Sequence, residues 1–154
     1  KIKKTEYVAD TSAANSSSIS FILEAGCKRI LLLGDSHSET IVSSLNMLYG
    51  RINKPFWFDA VKLSHHGSYN NNSPELFEYI DTDNWIVSTN GEGYNHPDEP
   101  TLANIIAKDM EHNRKIFFNY WLPVCDKYNQ VELHSVYKYE LVAPPSECGI
   151  DLNL

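Results

Sequence analysis

The sequence predicts a layered α/β unit followed by a β-rich tail. Three times between residues 30 and 111, a short apolar strand-like run is followed by an amphipathic helical segment. Beyond residue 112, aromatic and β-branched runs replace that alternation. Each early strand also stops abruptly in a polar loop, which places the loops at one end of the sheet.

The elements follow in order. A polar stretch over residues 10–18 precedes apolar runs at 19–23 and 30–33, separated by Ala25 and Gly26, and these predict a β-hairpin. The second run ends at Gly34 and Asp35. Ser36 and Glu39 have capping-box spacing, and Ile41, Val42, Leu45, Leu48 and Tyr49 share one helical face before Gly50 stops the helix. A third strand is expected over 60–63, where Val61 and Leu63 alternate with Lys62, and it runs into Ser64, His65, His66, Gly67 and Ser68. Ser73 and Pro74 mark a helix start, with Leu76, Phe77 and Ile80 as its apolar face. A fourth strand is expected over 85–88, a Gly-containing loop over 89–97, and a helix over 99–111 carrying Leu102, Ile105, Ile106 and Met110. Residues 115–120 and 131–142 read as two further strands, and Pro144-Pro145 as the end of ordered structure. The expected division is an α/β unit over 1–112 and a β-rich extension over 113–154 packed on it.

Composition narrows the function. The 154 residues contain 42% hydrophobic and 21% charged residues, enough apolar material for one core. The net charge of −7 gives no general attraction to nucleic acid or anionic lipid. Cys27, Cys125 and Cys148 match no zinc-finger or CxxC spacing and are expected to be reduced thiols in a cytoplasmic protein. No run approaches a membrane span, and the start at Lys1, Ile2, Lys3 and Lys4 lacks the apolar core of a signal peptide. The first residue is not Met, so the chain is expected to continue upstream.

Asp35, the pair His65 and His66, and His96 each lie just past a predicted strand end. Strand ends of this kind gather on one rim, where ligands bind. A carboxylate with several neutral imidazoles suits a divalent transition metal such as zinc or manganese.

Five strings carry a family resemblance: NSSSISFIL over 15–23, ILLLGD over 30–35, DAVKLSHHGS over 59–68, IVSTNG over 86–91 and YNHP over 94–97. Together they resemble one branch of the metallo-β-lactamase superfamily, the branch that includes the hydrolase domain of the bacterial DNA-uptake (competence) channel protein. The similarity runs from about Asn15 to Lys108. It implies the C-terminal half of an αβ/βα sandwich, with a layered mixed sheet and helices outside. It also implies hydrolysis of a phosphodiester, in nucleic acid or a nucleotide, by a water activated on two divalent ions. By the resemblance, Asp35 corresponds to the bridging carboxylate and His65 to the late histidine ligand, with His66 as the alternative. The histidine that is not a ligand, together with His96, would contact a phosphate or protonate a leaving group. Ser68 and Asn90 resemble rim residues that shape the pocket. His37, His112 and His134 match nothing and are expected on the surface.

The chain departs from the family at one point. The signature His-x-His-x-Asp-His loop occurs nowhere in it. That loop is expected in an N-terminal half, either upstream in the same polypeptide or on a partner; a non-catalytic remnant is the other explanation. Two rival readings remain. The run Gly34, Asp35, Ser36, His37 also resembles the opening motif of SGNH-type esterases, with Ser36 as nucleophile, although the late Asp-x-x-His element is missing. A half-domain used for assembly would use the tail aromatics Tyr120, Trp121, Tyr128, Tyr137 and Tyr139 as an interface.

Overall fold

The expected hairpin forms as β1 (Phe21–Ala25) and β2 (Lys28–Leu32), paired antiparallel, in the computed structural model, which describes residues 5–50, 54–146 and 149–154. The charged start over Lys1–Lys4 and the thiol of Cys148 lie outside the described residues. From β2 onward every further strand of the main sheet joins in parallel. β4 (Ala60–Lys62), β6 (Asn84–Val87), β7 (Arg114–Phe118) and β8 (Tyr139–Val142) extend a six-stranded mixed sheet in the order β1-β2-β4-β6-β7-β8. A short parallel pair, β3 (Phe56–Trp57) with β5 (Ile80–Asp81), stands apart from it. The protein is therefore an α/β fold with a mixed sheet and helices.

The helices form where the apolar spacing has a helical period, with local departures. α2 spans Ser38–Tyr49 after a one-turn helix α1 (Ala13–Ser16), and Gly50 closes it at φ 76°. Its N-cap is His37, which makes no side-chain capping bond; the expected capping box of Ser36 and Glu39 does not form. Ser36 instead turns inward, where its hydroxyl donates to Ser18 O and accepts from Ser20 Oγ. Ile41, Val42 and Leu45 are buried as expected, but Leu48 is 66% exposed, so the covered face of α2 is narrower than its apolar spacing. α3 (Pro74–Tyr79) starts as its residues require: Pro74 needs no donor in the first turn, and Ser73 Oγ accepts from Leu76 N at 3.1 Å.

α4 (Glu99–Ile106) is shorter than the expected 99–111. Asp109 draws the N–H groups of Glu111 and His112 onto its own carboxylate, which competes with helical bonding and ends the segment before Met110. The expected strand over 131–142 is half helix: after a further short helix α5 (Pro123–Tyr128), α6 (Val131–Val136) takes its first half, and the strand is Tyr139–Val142. Short apolar runs do not distinguish strand from helix by spacing, and here the helix prevails.

One face of the sheet carries the core. Leu31, Leu33, Val61, Leu63, Trp85, Val87, Ile116, Phe118, Tyr139 and Leu141 point to the side where α2, α3, α4 and α5 contribute Ile41, Leu45, Leu76, Leu102, Ile105 and Cys125. Each such buried side chain contributes on the order of 1.5–3 kcal/mol of transfer free energy. The opposite face differs. The paired registers place Phe21, Leu32, Lys62, Ile86, Phe117 and Val142 side by side across all six strands. Phe21 at the end of that row is 50% exposed, so this apolar row has no helical cover at β1.

Candidate active site

The loops after β2, β4 and β6 meet at one end of the sheet. His65 N–H donates to Gly34 O at 2.9 Å, Asn71 Nδ2 donates to Asp35 O at 3.2 Å, and Ser64 Oγ donates to Ser36 O at 2.6 Å. Asp98 N–H reaches back to Gly67 O at 3.1 Å, tying in the third loop. Two glycines permit this approach. Gly34 (φ 56°) and Gly67 (φ 88°) sit where a β-carbon would strike Ser18 Oγ and Pro97 Cβ, each at 2.6 Å.

The structure brings His65, His66 and His96 together. Ring centroids lie 5.9 Å apart for His65 and His66, and 5.5 Å for His65 and His96. Both His65 (φ 41°) and His66 (φ 59°) adopt left-handed backbone, a conformation uncommon for residues other than glycine and costly enough to be held only where the surroundings fix it. The rings are anchored alike. His66 Nδ1 meets Ser88 O at 2.5 Å, and a carbonyl only accepts, so Nδ1 carries the proton. His96 Nδ1 donates to the Asp98 carboxylate at 3.1 Å, and Asp98 also accepts from Tyr69 N–H at 2.7 Å. Burial acts to raise the Asp98 carboxyl, but the bonds from His96 and Tyr69 outweigh it and hold it below its ordinary value. Among the described residues none hydrogen-bonds Nε2 of any of the three rings.

Asp35 stands beside this group with its backbone N–H on Ser18 Oγ and its carbonyl on Asn71. Its charge is felt by Lys62, whose ammonium donates to Gly34 O at 3.4 Å. Burial pushes the Lys62 amine below its ordinary value, partly countered by Asp35. Of the remaining expected residues, Asn90 is exposed and uses Oδ1 to accept from Glu92 N–H, which shapes the loop beside His96. A cavity of about 660 Å³ opens there, with Asn90, Tyr94, His96 and Leu122 among its walls. Ser68 is not at the rim: it is 4% exposed, and its carbonyl accepts from Asn72 Nδ2 at 2.7 Å beneath the turn.

Other expected placements are corrected. His37 is not a surface residue; its ring is 15% exposed and faces Asp10 at 3.5 Å. His134 is partly covered, packing on the Tyr139 ring at 4.4 Å and donating to Tyr139 O, whereas His112, its ring 39% exposed beside Trp57, lies at the surface as expected. Ser36 is 3% exposed with serine and backbone partners and no histidine among them, which leaves a nucleophile there without a base. Tyr128 and Tyr139 are buried in the core, and Tyr120 and Trp121 are only about two-fifths exposed, at 38% and 37%.

Sequence reasoning missed Asp10, Asn15, Asn71, Asp98 and Lys62. Asp10 accepts from Asn15 Nδ2 at 2.6 Å, Ser12 N–H at 2.8 Å and Asn71 Nδ2 at 2.8 Å. Burial acts to raise its carboxyl, but those bonds dominate and bring it to about 2. Asp98 alone had a usable signal, as the capping-type residue before Glu99 and Pro100.

A carboxylate and imidazole nitrogens are the right donors for zinc or manganese, but the number falls short. Among the described residues no three His, Cys, Asp or Glu side chains come together to hold a metal ion, whereas zinc sites take at least three protein ligands. The residues of this chain therefore do not by themselves fit a complete metal centre. Cys27 is exposed and Cys125 buried, both as free thiols. No helix of the described residues is long and apolar enough to cross a membrane. No protein-family model, curated protein or solved structure matches the chain.

Proposed function

We propose that this chain is the C-terminal half of a metal-dependent hydrolase of metallo-β-lactamase fold, acting on a phosphodiester in nucleic acid or a nucleotide. The observation that carries the reading is the rim: three neighbouring imidazoles, each anchored through Nδ1 with no described residue bonding Nε2, and Asp35 joined to them by its backbone carbonyl through the Asn71 amide. Asp35 and His65 would be donors to two divalent ions, zinc or manganese, with the remaining ligands supplied from outside these residues. His66 and His96 would hold or accept protons at Nε2 near the substrate oxygens, and Asn90 would shape the approach. The apolar row from Phe21 to Val142 supports a half-sandwich, since it is the face that a second layer would cover. Free thiols at Cys27 and Cys125 support a cytoplasmic setting.

The test is hydrolysis of bis(p-nitrophenyl) phosphate by the natively purified protein, with and without chelator and with Mn²⁺ or Zn²⁺ restored. Chelator-sensitive turnover that falls at least about 100-fold in Asp35→Asn is the expected result. Turnover that ignores chelator and survives Asp35→Asn would sink the reading. A second reading, a non-catalytic half-domain used for assembly, draws on the short donor set. Failure of the native protein to bind either metal would select it.

A further inference from the structure

We infer that Asn71, oriented by Asp10, holds His65 in the tautomer with its proton on Nδ1 and its lone pair on Nε2, making both Asn71 and Asp10 positioning residues of the rim. The orientation of the Asn71 amide follows from its neighbours. Its Nδ2 faces two pure acceptors, Asp10 Oδ2 at 2.8 Å and Asp35 O at 3.2 Å. Reversing the amide would set oxygen against oxygen at both places. Nδ2 is therefore the donor there, and Oδ1 must be the atom that meets His65 Nδ1 at 2.9 Å. An amide oxygen cannot donate, so His65 supplies the proton from Nδ1.

One contact argues the other way. Asn15 Nδ2 lies 3.2 Å from the same His65 nitrogen and could donate to it only if Nδ1 were bare. Asn15 Nδ2 carries two hydrogens: one goes to Asp10 Oδ2 at 2.6 Å, and the other would reach His65 only at 3.2 Å, against 2.9 Å for the Asn71 contact, so the shorter contact sets the ring. A bare Nδ1 would also face Asn71 Oδ1 at 2.9 Å, lone pair against lone pair. Asn71 is 1% exposed, so water offers its amide no alternative partner.

The chemical consequence lies at the other end of the ring. With Nδ1 protonated, Nε2 of neutral His65 is an electron-pair donor, as it is in His66 and His96. Each of the three rings thus presents a nitrogen lone pair at Nε2, able to take a proton or to serve as one ligand of a metal site completed from outside these residues. The meaning for catalysis rests on the hydrolase reading, whereas the tautomer is read in the resting chain without metal or substrate, so the two can fail separately.

The experiment is a long-range ¹H–¹⁵N correlation spectrum of the ¹⁵N-labelled chain at about pH 8, above the ordinary histidine value. His65 should show a protonated Nδ1 and an unprotonated Nε2. In Asn71→Ala, its Nε2 signal should move upfield toward the Nε2-protonated tautomer that an unconstrained histidine side chain prefers. Asp10→Ala should move it in the same direction and serves if Asn71→Ala does not fold. His66, held by a backbone carbonyl, is the internal reference and should not change in either variant. A wild-type His65 with its proton on Nε2 would overturn the inference. So would a His65 signal unmoved in the variants, or one that moves only together with that of His66.

Discussion

Gly67 and Pro97 lock two loops of the rim together: a β-carbon on the glycine would stand 2.6 Å from the proline Cβ. Gly67→Ala is therefore expected to push the histidine turn away from the His96 loop. Left-handed backbone at φ 88° and the clash together should cost about 2–4 kcal/mol, measured by urea denaturation. On the hydrolase reading, activity should fall as well, because the spacing of His65 and His96 depends on this contact.

The buried ion cluster beneath β7 is the second lever. Arg114, 2% exposed, donates to Asp81 at 2.9 Å and Asp109 at 2.6 Å, with Lys108 at 3.9 Å from Asp81. Arg114→Ala leaves the buried Asp81 without its main partner and should destabilise by about 3–5 kcal/mol. Replacing Asp81 and Arg114 together with apolar residues should cost less than Arg114→Ala alone, and a double-mutant cycle checks the sign.

Acid should unfold the chain by protonating held carboxylates. Hydrogen bonding from Arg114 holds Asp109 well below the usual carboxylate range, and Asp10 lies at about 2. A carboxyl lowered on folding adds stability above its ordinary value near 3.8 and loses it as pH falls through its folded value. Stability followed by circular dichroism should thus hold down to about pH 4 and fall steeply below it. Asp109→Asn should be less stable at pH 7 yet show a shallower acid slope, since one of the linked protons is gone.

Lys62 offers a separation of stability from function. Its ammonium is half-buried in an otherwise apolar row, and burial lowers its pKa, so folding disfavours its charge. Lys62→Met should be neutral or more stable, by up to about 1 kcal/mol at pH 7. If Lys62 serves the rim beside Asp35, the same variant should lose hydrolytic activity. A clear drop in stability would mean that its bond to Gly34 matters more than its desolvation.

What the sequence made legible was local. The hairpin, the Gly50 stop, the Ser73 cap and the strand-end places of Asp35, His65 and His96 depend on residues within a few positions of one another. Asp10 and Asn71 were not legible because their hydrogen bond spans 61 residues, and nothing in either neighbourhood announces it. The tail was misread for a different reason. Val131, Leu133 and Val136 suit either period over so short a run, and α6 buries none of its residues to decide the matter. Leu48 failed in the opposite sense, with helical spacing but no neighbour to cover it.

The order β1-β2-β4-β6-β7-β8 has a consequence for how the chain is made. Spatial order in the six-stranded sheet follows order of synthesis, so each new strand of that sheet docks beside the previous strand of the same sheet. No described strand of that sheet waits for a partner beyond its neighbour, whereas in the small sheet β3 meets β5 only after β4 has been made. The sheet can grow outward as the polypeptide leaves the ribosome, with β1 and β2 as its first template and β8 as its last addition.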